Sequence, residues 1–267
     1  MAKPGASMSW RIVRANPSLL RLAAVGALVQ AAIFGCTIAM LAVVGFDRRD
    51  GLIVLAVVVY PFTVAATFCE VALVAAVRGA LDGKELTVAE ALAAARRRLP
   101  LILRWSLVTA TIGMAIQVLE TVRGGVIVYR VLGWFLELAW AAATYLAVPV
   151  LVFEGVGPIE TLKRSGTLVR ERWGTGLRGA VRITVVSALV ALPFWLLIGV
   201  GVVAMLNGYP ATGALVAAAG AVGVAAVLAL TTAVASTFRV VLYLYASEGI
   251  IVDGFDRFTL DTAFRRT

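Results

Sequence analysis

Two carboxylates, Glu70 and Glu137, stand inside long apolar runs, and chemistry is sought there first because an unpaired charge in hydrocarbon is expensive. They lie toward opposite ends of their runs with no chain of polar residues between them, which suits structural ion pairs better than a proton or cation path. Arg104 sits at a depth comparable with Glu70, so Glu70 and Arg104 are expected to form an intramembrane charge pair. Glu137 has Arg123 and Arg130 as candidate partners. Ser165 follows Lys163 in Lys163-Arg164-Ser165, but residues two apart on a helix face different ways, and the chain has no histidine to act as base. Ser165 therefore reads as a small polar helix residue rather than a nucleophile. Gln30 and Gln117 read as interhelical hydrogen-bonders. Cys36 and Cys69 both fall in apolar runs, which argues against a disulfide or a metal site. The expectation is a non-enzymatic protein with no catalytic residue, metal or cofactor.

A second set of residues is cationic. Arg96, Arg97 and Arg98 crowd the end of one polar connector; Lys163, Arg164, Arg170 and Arg172 lie along another. Such clusters beside apolar spans suit binding of lipid headgroups or other anions, the alternative being a topology signal alone. The helix that carries the second cluster runs over about 158–173. Ile159, Leu162, Gly166, Val169 and Trp173 recur on one of its faces, Pro158 suits its first position and Gly174 its stop. It is expected to lie in the membrane interface with that stripe down. The first cluster ends a helix of about 87–99, in which Thr87 and Glu90 have capping-box spacing and Val88, Leu92, Ala95 and Leu99 form an apolar stripe. A third interfacial helix is expected over about 9–16, after a disordered start at 1–7.

Between these helices lie six apolar spans, about 22–46, 52–77, 101–122, 131–153, 183–206 and 211–238, each near the roughly 20 residues a bilayer crossing needs. Pro149 is expected to kink the fourth. The stretch Ala211–Ala246 is too long for one straight crossing and is expected to leave the membrane after Phe238, with Phe238, Tyr243 and Tyr245 marking the interface. Gly213, Ala217, Gly220 and Gly223 make the last span a small-residue surface suited to close helix packing. A tail follows over 247–267. The whole is an all-α polytopic membrane protein: one integral membrane domain of three hairpins joined by amphipathic connector helices, a unit repeated from near Ser9, Thr87 and Pro158.

Composition agrees with that class. Of 267 residues 61% are hydrophobic and only 15% charged, where soluble domains carry about a quarter. Twenty of the 24 basic residues fall on one side of the six-span arrangement and four on the other, so both termini are expected in the cytoplasm. The net charge of +9 is concentrated in short loops, which points to anionic lipid rather than nucleic acid.

The runs Val148–Gly155, Ile159-Glu160, Leu162–Ser165, Arg172-Trp173-Gly174, Leu242-Tyr243 and Gly254-Phe255-Asp256, with Arg104-Trp105 and Ala72–Ala76, resemble an uncharacterised bacterial family of six-span membrane proteins. More distantly the pattern is similar to the membrane domain attached to some glycerophosphodiester phosphodiesterases, here without the catalytic domain. The resemblance implies fold, topology and a bacterial cytoplasmic membrane, and no activity. The expected role is a scaffold or lipid-associated module with a cationic cytoplasmic face, whose partners are anionic lipids and a protein docking on that face. The alternative is a transporter or permease for a small or lipidic solute.

Overall fold

The computed structural model describes residues 4–44, 48–122, 127–173, 178–252 and 255, and among them it is all helical. The order is α1 (Pro4–Ala15), α2 (Pro17–Val44), α3 (Arg48–Leu81), α4 (Val88–Arg97), α5 (Leu99–Val122), α6 (Ile127–Thr144), α7 (Ala147–Phe153), α8 (Pro158–Trp173), α9 (Arg178–Leu206) and α10 (Pro210–Glu248). Among the described residues six stretches are long and apolar enough to cross a membrane: Pro17–Thr37, Val57–Leu81, Leu99–Ile116, Phe135–Phe153, Val186–Leu206 and Pro210–Glu248.

Proline shapes the chain in three different ways. Pro61 and Pro193 are carried inside α3 and α9 without a break. Pro100 opens the first turn of α5, where no N–H is missed. Pro149 divides the fourth span: its ring and missing N–H disturb the turn four residues back, so α6 stops at Thr144 and α7 starts at Ala147, with Tyr145 and Leu146 in a turn. The Leu146 N–H is satisfied by the Ser165 Oγ of α8 at 3.1 Å, and Ser165 is completely buried. The hydroxyl thus caps a helix other than its own.

That contact sets which face of α8 meets the bundle: Val169 and Leu162 of the expected stripe are on it, and Ile159 is not. It buries Thr161, Ser165, Leu168 and Val169 against the bundle, a stripe at helical spacing, whereas Ile159 is 66% exposed. A face containing two small hydroxyl residues wins because the α6–α7 break needs an acceptor there. In α4 the capping box forms, Glu90 N–H donating to Thr87 Oγ1 and Thr87 N–H to the Glu90 carboxylate, and Ala91 and Ala95 face inward. At the start of the chain, helix begins at Pro4, inside the stretch expected to be disordered.

The C-terminal part of α10, which the sequence pattern puts beyond the membrane surface, is the most buried part of that helix: Phe238, Val240–Tyr245 and Ala246 lie inside the protein, and α10 packs on α1, α2, α3, α7 and α8 as well as on α9. The core therefore lies at the end of the bundle where α1, α4, α7 and α8 gather, around Leu19, Leu22, Leu73, Ile102, Leu151 and Leu242. This is the basic end of the molecule. At the far end α9 packs almost wholly on α10, through glycines: a Cβ at Gly220 would come 2.7 Å from the Phe194 carbonyl oxygen, and one at Gly201 would come 2.5 Å from the Ala217 nitrogen. The small-residue face of α10 is thus a close helix contact. The outward faces of α9 and α10 carry Leu189, Trp195, Leu196, Leu206, Leu215 and Val222, all more than half exposed, as hydrocarbon-facing residues should be.

Candidate functional site

The charge pair inside the bundle joins α3 to α10. The Arg239 Nη1 donates to the Glu70 carboxylate, and the guanidinium lies over the Tyr145 ring, 5.5 Å from its centroid. Three elements meet here, with Tyr145 delivered by the turn that Pro149 creates. Arg104, the expected partner of Glu70, is exposed on α5 instead. The register explains the difference. Ser106 Oγ donates to the Thr63 carbonyl at 3.5 Å, so the antiparallel α5 sets Arg104 level with Thr63–Ala65, roughly 7–10 Å along α3 from Glu70. Sequence reasoning misses Arg239 because it follows Phe238, where the last span is expected to end. The available signal is the apolar run Val240–Ala246 continuing beyond it, which makes it a lone charge within a run rather than at its edge.

Above the pair opens a cavity of about 910 Å³ between α2, α3, α9 and α10. It exists because α9 leans on α10 and leaves α2 and α3 facing a gap at that depth. Glu70, Arg239 and Tyr145 form its polar floor, and most of the rest is alanine, leucine and aromatic side chains, with Gln30 on one wall. Buried Leu22, Ala23 and Leu73 close it toward the basic end. Ala31 and Phe34 of α2 and Trp195 of α9 are exposed, so it opens sideways.

At the basic end the cationic residues divide into committed and open ones. Arg164 pairs with Glu154 at 3.1 Å, and the same carboxylate oxygen accepts the Tyr243 hydroxyl at 3.1 Å, so α8, α10 and the end of α7 are clasped together. Arg98 donates to the Leu151 carbonyl at 3.4 Å. Arg78 pairs with Asp82 at 3.0 Å and lies over the Phe153 ring. Arg96, Arg97, Lys163 and Arg170 are exposed, and the side chain of Arg172 lies outside the described residues. Arg97, Arg98, Ala94, Pro100 and Leu101 line a shallow cavity of about 430 Å³ at the α4–α5 corner. Glu90 is held below the usual carboxylate range by the Thr87 backbone N–H and then by its hydroxyl.

The remaining candidates are scattered. Glu137 is exposed on α6; Arg123 and the side chains of Arg130 and Gln117 lie outside the described residues. Among the described residues no group of three histidine, cysteine or acidic side chains is placed to hold a metal.

Six long apolar helices, a core gathered at one end and a partly open ion pair within the bundle define an integral, multi-pass helical membrane protein. The chain belongs to the family of unknown function DUF6159, which it matches over residues 50–255. No curated protein and no solved structure matches it.

Proposed function

We propose that this is a non-enzymatic, lipid-associated membrane module. In this reading three hairpins, α2–α3, α5–α6/α7 and α9–α10, are joined on the cytoplasmic side by α4 and α8, with both termini in the cytoplasm of a bacterial cell. The observation that carries the reading is that, of the cations on the two connector helices, Arg96, Arg97, Lys163 and Arg170 stay exposed beside apolar spans. The cavity at the α4–α5 corner adds a recess lined by Arg97 where a headgroup phosphate fits. The same collar is where a protein partner would dock.

The test is lipid retention. Replacing Arg96, Arg97 and Arg170 by glutamine removes cations worth about 1 kcal/mol each near an anionic surface, so anionic lipid recovered with the purified protein should fall severalfold. Unchanged lipid content would overturn the reading. A permease for a lipidic solute is the second reading, favoured over an ion pathway because the cavity that reaches Glu70 is mainly apolar.

A further inference from the structure

The geometry points to a second ligand site, independent of the basic collar: we propose that the cavity between α2, α3, α9 and α10 takes a single-chain amphiphile with a zwitterionic headgroup. Its phosphate lies against Arg239, its ammonium against Glu70, and its acyl chain along α10.

The headgroup assignment follows from the floor. Glu70 and Arg239 pair with each other, yet both line the cavity, their side chains 26% and 33% exposed. The floor therefore has no net charge and offers a donor pole beside an acceptor pole. An anionic headgroup would leave one uncompensated negative charge in a low-dielectric site, and a cationic one the opposite. A headgroup bearing both signs keeps the sum at zero and meets each pole. The Arg239 plane is held by the Tyr145 ring, which orients its fork for a phosphate and lowers the ordering cost of the contact.

The chain assignment follows from the walls. Ala217, Ala221, Ala225 and Leu228 form one stripe of α10 running toward Arg239. From Ala217 to Arg239 the helix extends about 33 Å, close to the roughly 30 Å of bilayer hydrocarbon. The volume of about 910 Å³ lies within the roughly 300–1,000 Å³ range of sites that enclose one ligand, which fits a single chain with its headgroup. Because Leu22, Ala23 and Leu73 close the end beneath the ion pair while Phe34 and Trp195 border a lateral opening, the ligand enters from the bilayer and not along a water path.

The experiment uses the full chain in maltoside micelles and a lysophosphatidylethanolamine whose acyl chain is brominated. Quenching of Trp195 is obtained as the difference between the unmodified chain and Trp195→Phe. Quenching should saturate, with affinity about ten-fold tighter than for lysophosphatidylglycerol bearing the same chain, one charge-assisted contact's worth of discrimination. Ala221→Phe, which fills the stripe, should abolish it. Glu70→Gln combined with Arg239→Gln keeps the floor neutral but removes both poles, so the chain should still quench and the headgroup preference should disappear. Equal or tighter binding of the anionic probe overturns the proposal, as does quenching that rises linearly and survives Ala221→Phe. The headgroup comparison needs only the unmodified chain and Trp195→Phe, so it decides the matter even if the Ala221→Phe protein does not fold.

Discussion

Glu70 and Arg239, 169 residues apart in sequence, tie α3 to α10 inside the bundle. Removing one partner leaves the other unpaired, a loss of roughly 3–5 kcal/mol for a fully buried pair and less here, because both side chains are partly open to the cavity. Glu70→Gln and Arg239→Gln should each lower the Tm in detergent, and the double substitution should cost less than their sum. Arg104→Gln should leave the Tm unchanged; a loss comparable with Glu70→Gln would restore Arg104 as the partner. A residue-level test of another kind is available at Glu90. Its folded-state carboxyl titrates below its ordinary value of 4.5, so the stability it contributes is present above that value and is lost as pH falls through the lowered one. Thr87→Ala should therefore reduce the Tm at pH 7, and its deficit should shrink as pH is taken below about 4.5. A deficit independent of pH would remove the carboxylate from the account. The identity of both acids is legible in the sequence, and so is the Thr87–Glu90 partnership, because it spans only three residues. The partner of Glu70 is not, since that depends on the axial register of α5 against α3 and on which helix closes the bundle.

Among the elements, α6, α7 and α8 are the most interdependent. Pro149 breaks a span and Ser165, on a helix outside the span, supplies the acceptor that the break requires. Ser165→Ala should leave the buried Leu146 N–H without a partner and cost about 1–3 kcal/mol. Pro149→Ala permits α6 to continue into α7 and return that N–H to the Ala142 carbonyl, so the cost of Ser165→Ala should fall in the Pro149→Ala background. Strict additivity of the two would refute the coupling. The sequence signals a kink at Pro149 and a helix from Pro158, each from local chemistry. It does not signal that one exists to complete the other, and for that reason it points Ile159 and its stripe toward lipid. Val169 and Leu162 are on the expected stripe and do face the bundle, while Thr161 and Ser165, polar by composition, are excluded from it by a rule that counts only apolar residues.

As a whole molecule, the protein gathers its buried core at its basic end, while at the other end the close contact is that of α9 on α10. The six apolar stretches are readable because hydropathy over some 20 residues needs no knowledge of neighbours. The uneven packing is not, because α10 is apolar on both sides of Arg239 and hydropathy does not distinguish a face against protein from a face against lipid. The proposed orientation is checked by fusing a cytoplasm-active reporter after Ser165 and after Thr267, where signal is expected, and after Arg49 and Tyr209, where none is. Signal at either of the latter sites would overturn the arrangement. The C-terminal part of α10, from Ser236 to Ala246, occupies the centre of the core, yet it emerges from the ribosome after α1–α9. Until α10 is inserted, the core lacks its central element and Glu70 lacks the partner it has in the folded protein. Insertion of α10 is then the event that supplies both.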